Sequence, residues 1–111
     1  MSRLRVEYTL GARRELKDSY LWIKERSPQG AEKWRNELLE AIEALADHPL
    51  RWPVAPENDR FPREIREIRL LLFRKRQSQF RVYFTVESQR VVILSVRRSS
   101  RRPLEEDDLP E

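Results

Sequence analysis

At the start of the chain, polar and apolar residues alternate with a period of two. Leu4, Val6 and Tyr8 interleave with Arg3, Arg5 and Glu7, the pattern of a short strand with one buried face. After Tyr8 the period changes. Ala12, Leu16, Tyr20 and Ile23 recur at spacings of four, four and three, an apolar stripe along one side of a helix. The Thr9 hydroxyl is placed to cap that helix. The string "ERSPQG" interrupts the stripe. Ser27 as N-cap and Pro28 as first helical residue restart a helix at once, because proline has no amide to leave unpaired there. Trp34, Leu38, Ala41, Ile42 and Leu45 form the second stripe. His48-Pro49 ends it, since a residue before proline avoids the α region. A turn this short between two helices predicts an antiparallel helical hairpin.

"PLRWPVAPENDRFP" then carries four prolines and reads as an irregular connection. Three strands follow in the pattern: "IREIRLLLF" (65–73), "FRVYFTV" (80–86) and "RVVILSVR" (90–97), with "RKRQSQ" as a basic loop and "ESQ" as a tight hairpin connection. Phe80, Val82, Phe84 and Val86 take one face of the third strand, leaving Arg81, Tyr83 and Thr85 on the other. Strict alternation in the fourth strand groups Val92, Leu94 and Val96 against Ile93, Ser95 and Arg97. The order β-α-α-β-β-β is an α+β fold, a helical hairpin packed on one face of a small, mostly antiparallel sheet. It predicts a single domain over 1–111, with an acidic, disordered tail at 105–111.

Charge sharpens this picture. Residues 1–59 hold ten Lys/Arg against eleven Asp/Glu, residues 60–102 hold thirteen against three, and the last nine hold five acids and no base. Nineteen of the basic residues are arginine and four are lysine, and arginine is the better bidentate partner for phosphate or carboxylate. The second half therefore presents a surface for polyanions or acidic partners. Other function classes fall away. There is no cysteine and one histidine, which argues against disulfides and zinc. Two glycines leave no phosphate-cradling loop. No apolar stretch reaches the ~18 residues of a membrane span, and the charged N-terminus does not read as a signal peptide. The expectation is a cytoplasmic protein without metal or cofactor.

With the helices on one face, the other face of the sheet is expected to be open. Arg81, Tyr83 and Arg97 would share it, Arg98, Arg101 and Arg102 would extend it past the strand end, and Arg74, Lys75 and Arg76 would add charge from the preceding loop. Guanidinium groups beside an aromatic floor suit an anion or a stacked base. Catalysis is less well provided for. RNA cleavage needs a base, an acid and charge stabilisation at phosphorus, and near this patch only Tyr83 and Lys75 could exchange a proton. His48 reads as a helix-end cation. Glu32, Glu37, Glu40 and Glu43 read as a solvated helix face with i,i+3 and i,i+4 partners rather than a metal site.

"RELKDSYLWIKERSPQGAEKWRNELLEAIEALADHP", "IREIRL" and "FRVYFTVESQRVVILSVRRSSRRPL", in this order, resemble the RelE/ParE superfamily of bacterial type II toxin–antitoxin toxins. The ParE-like, plasmid-stabilisation branch is the closer. The resemblance implies a toxin that inhibits growth, in a hetero-oligomer with a cognate antitoxin bearing an acidic, partly disordered segment. DNA gyrase is the implied target. The alternatives are a RelE-like ribosome-dependent mRNA endoribonuclease using Arg81, Arg97 and Arg98, or an inactive antitoxin-binding homologue. The family's strand arginine falls on Arg81, and its basic C-terminal positions on Arg97, Arg98 and Arg101. Where many relatives carry a histidine after the last strand this chain has Arg98, and the RelE branch's lysine pair and late tyrosine have no match.

Overall fold

The first helix starts where its cap says it should. Thr9 Oγ1 accepts from the Ala12 amide at 3.1 Å, and α1 runs Leu10–Arg26. Ser27 serves both helices: its amide donates to the Ile23 carbonyl, and its Oγ accepts from Gly30 N at 3.0 Å to open α2, Pro28–Ala44, with proline in the first turn. A computed structural model describes residues 3–71 and 79–98 of the chain. In it, β1 (Arg5–Tyr8) precedes the helical hairpin, and β2 (Arg66–Leu71), β3 (Gln79–Glu87) and β4 (Arg90–Arg98) follow.

The strands lie in the order β1-β4-β3-β2. The pairs β2–β3 and β3–β4 are antiparallel, while β1 lies parallel to β4 with Val6 opposite Val91. A parallel pair needs a crossover, and the helical hairpin supplies it. Both helices pack on one face of the sheet. Ala12, Trp34, Leu38, Ile42 and Leu45 meet Phe80, Val82, Phe84, Val91, Ile93 and Val96 in the main core, where Trp34 and Phe80 sit 5.3 Å apart in a tilted pair. The β3–β4 turn uses two residues, Ser88 and Gln89, with φ of 49° and 60°. Left-handed backbone at both positions matches the twist of a tight hairpin, although neither residue is a glycine.

The connection after α2 does not remain a free loop. It doubles back along the outer edge of β2, where Ala55 N donates to Ile65 O at 2.8 Å and Glu67 N to Pro53 O at 3.1 Å. Asn58 Oδ1 accepts from the Ile65 amide at 2.7 Å and closes the bend. Ala55, Phe61 and Ile65 then pack on Tyr83, Val92 and Leu94, forming a second, smaller core on the sheet face away from the helices. The expectation of an open second face is thereby corrected. The proline-rich segment is held to the β2 edge and covers it.

Candidate functional site

Residues directly opposite in an antiparallel pair project to the same face. Arg69 lies opposite Arg81, and Arg81 opposite Arg97. Three arginines thus form one row across β2, β3 and β4. The neighbouring row is Glu67, Tyr83 and Ser95.

The register that builds this row depends on a bulge. Counted from the two-residue turn, Thr85 faces Val92 and Phe84 faces Ile93, but Tyr83 faces Ser95. Leu94 is the extra residue, and beyond it the facing of β4 shifts by one. Without it, Arg81 would face Val96. The strict alternation expected for β4 fails for this reason. Ile93 and Val96 both enter the helix-side core, while Val92 and Leu94 lie on the second face. Arg97 shares the Arg81 face, as expected, because of the bulge.

Like charges side by side are unfavourable, and each arginine of the row meets a carboxylate. Glu67 Oε2 accepts from Arg81 Nε at 3.0 Å and from Nη2 at 2.5 Å, while its Oε1 accepts from Arg69 Nε at 2.9 Å. Glu57, from the covering segment, accepts from Arg81 Nη2 at 2.8 Å and from the Tyr83 hydroxyl at 2.7 Å. Glu15, from α1, lies 3.6 Å from Arg97 Nη2. Its Oε1 accepts from Ser95 Oγ and from the Val96 amide, each at 2.8 Å. Glu57, Glu67, Arg81, Tyr83, Ser95 and Arg97 are all buried.

Burial shapes the titration of this cluster. It pushes the Tyr83 phenol far above its usual value, and the bond to Glu57 adds to the rise. Burial works against the Arg81 charge, but the hydrogen bonds to Glu57 and Glu67 outweigh it and raise the guanidinium pKa. Tyr83 is therefore a neutral phenol at pH 7 whose O–H is already engaged in a hydrogen bond to a carboxylate.

The other expected site residues are dispersed. Arg98 lies opposite Phe80 and so belongs to the helix side. Its guanidinium stacks 3.8 Å from the centre of the Trp22 ring, with Arg26 at 3.7 Å. Two guanidinium groups that close to one ring centre must take opposite faces, so Trp22 is sandwiched between them. His48 is exposed in the connection after α2, beside Leu4, Leu50 and Val86. Arg74, Lys75, Arg76, Arg101, Arg102 and the acidic tail lie outside the described residues. Of the helical acids, Glu32 accepts a hydrogen bond from the Tyr20 hydroxyl. Among the described residues no group of three or more potential ligands could hold a metal, and no helix is long and apolar enough to cross a membrane.

Glu15, Glu57, Glu67 and Arg69 were not singled out by sequence reasoning. Arg69 and Glu67 had a weak signal, since polar residues spaced by two in an apolar strand share a face. Glu57 had none, because its role depends on how the covering segment folds back.

A second feature lies on the helical hairpin. Tyr8, Leu16, Tyr20 and Leu39 line a shallow apolar groove between α1 and α2, bordered by Arg13, Lys17 and Arg35 with Glu43. Apolar floor and basic rim together fit an acidic amphipathic segment.

Comparison with known proteins gives one family. The profile of the ParE toxin of the parDE type II toxin–antitoxin system matches residues 6–103. No curated protein matches the chain.

Proposed function

From the membership of this chain in the ParE toxin family of type II toxin–antitoxin systems, we propose that it arrests growth by binding DNA gyrase and is neutralised by a cognate antitoxin. The observation that carries the binding reading, as against nuclease chemistry, is the state of the Arg81 cluster. The guanidinium there is held by two carboxylates of the same chain, and the adjacent phenol is a bound donor. A general base must be able to take a proton near pH 7, and Tyr83 is shifted away from that range. These groups hold one another and the covering segment in place rather than perform a reaction.

The inter-helix groove supports the antitoxin half of the proposal. An acidic, partly disordered segment would bury apolar side chains on Leu16 and Leu39 while its carboxylates met Arg13, Lys17 and Arg35. Such a contact weakens as salt rises.

Induced expression tests the proposal. Growth should stop, with DNA breaks trapped on gyrase, and co-expression of a short acidic protein encoded beside the gene should restore growth. Site-specific mRNA cuts that disappear in Arg81→Ala would instead establish the endoribonuclease alternative. Normal growth would establish the inactive homologue.

A further inference from the structure

The row Arg69–Arg81–Arg97 sets three arginines side by side on one face, with the Arg81 guanidinium carbon 4.7 Å from the Tyr83 ring centre. Adjacent strands are about 4.8 Å apart, so the row spans roughly two phosphate contacts. It has the composition of a phosphodiester site, yet its central arginine is occupied by the chain itself. We propose that Glu57 and Glu67 act as built-in substitutes for phosphate on Arg81, closing a latent nucleic-acid site and keeping this protein off RNA and single-stranded DNA.

Both carboxylates are placed as a phosphate would be. A single Glu67 oxygen, Oε2, takes both Nε and Nη2 along one edge of the guanidinium, and Glu57 takes Nη2 from the covering segment. Glu67 also takes Arg69, so one carboxylate engages two arginines of the row. An incoming phosphate would have to displace two buried carboxylates and meet their repulsion. Glu57 does more than neutralise charge: through Arg81 and Tyr83 it anchors the segment that covers the face. The inference concerns this chain's own discrimination between ligands, and it holds whether gyrase or another macromolecule is the target.

The test uses the full chain and a fluorescein-labelled twelve-nucleotide oligouridylate, followed by anisotropy from low to moderate salt. Glu57→Gln/Glu67→Gln preserves side-chain size and removes two negative charges. It should tighten binding about tenfold and steepen the salt dependence by about 0.7 to 1.4, one or two added phosphate contacts on a single strand. Adding Arg81→Gln should reverse the gain. A folded double variant that binds no tighter, or a gain that survives Arg81→Gln, would overturn the proposal. The wild-type protein provides an arm that needs no variant to fold. In an NMR titration with the same RNA, the Arg81 Nε–H signal should stay in place while exposed arginines shift, and movement of Arg81 contradicts the proposal.

Discussion

Replacing Glu15 should unfasten α1 from β4. Strand β1 stops at Tyr8, opposite Ile93, so β4 loses its parallel neighbour from Leu94 onward. The start of α1 takes over that edge. Thr9 Oγ1 donates to Leu94 O at 3.3 Å, and Glu15 accepts from Val96 N and Ser95 Oγ. Val96 is only 1% exposed, so its amide in Glu15→Ala is left without an acceptor. An orphaned buried donor costs about 1–3 kcal/mol, and the lost charge-assisted bond from Ser95 brings the total to about 3 kcal/mol. Arg97 keeps its bond to Ser95 Oγ at 3.2 Å, and the cost of its lost ion pair with Glu15 adds to this figure. Glu15→Gln keeps an oxygen for the amide and should cost about 1 kcal/mol. At about 2.1 cal/mol/K per residue, a domain of this length loses roughly 4 °C of Tm per kcal/mol. The drops are thus about 13 °C for Glu15→Ala and about 4 °C for Glu15→Gln by thermal circular dichroism, with faster hydrogen exchange at Val96 N. An alanine variant within about 0.5 kcal/mol of wild type, or a glutamine variant as damaged as alanine, would mean that Glu15 does not hold this edge.

Three further outcomes are expected. The raised pKa of buried Tyr83 gives stability that is complete below pH ~10 and lost as pH rises above it, because the unfolded phenol ionises while the folded one does not; urea titrations from pH 9 upward should show up to ~1.4 kcal/mol lost per pH unit from this group, a loss absent in Tyr83→Phe. Asn-Gly in place of Ser88-Gln89, where both residues have positive φ, should raise the urea-derived stability by about 1 kcal/mol; no gain would mean that the turn is unstrained. Lys17→Glu/Arg35→Glu, at the rim of the inter-helix groove, should weaken antitoxin binding at least about tenfold in calorimetry and flatten its salt dependence, whereas unchanged affinity would place the antitoxin elsewhere.

The helical hairpin was legible in the sequence because each signal is local. Thr9 caps α1, Ser27-Pro28 opens α2, and the two apolar stripes face the core. The first and third strands were legible from alternation, whereas the shared face of Arg81 and Arg97, though expected, does not follow from it. That second reading needed the bulge at Leu94, which no residue pattern announces, since turn-set pairing alone places Arg81 opposite Val96. What escaped was long-range. Glu57 lies 24 positions from Arg81 and reaches it only because the proline-rich segment pairs with the β2 edge. Glu15 and Ser95 are 80 positions apart. A charged residue in an apolar strand signals that a partner exists, but not which element provides it. For that reason the arginines looked like an exposed anion grip, while in the fold their grip is on carboxylates of the same chain.

Whether this toxin acts by binding or by cutting RNA is decided with purified components. The chain is added to gyrase supercoiling of a relaxed plasmid and, in parallel, to translating ribosomes with mapped mRNA ends. The expected result is dose-dependent loss of supercoiling with accumulation of cleaved gyrase–DNA complexes and intact mRNA. Unimpaired supercoiling together with mRNA cut on the ribosome would contradict it.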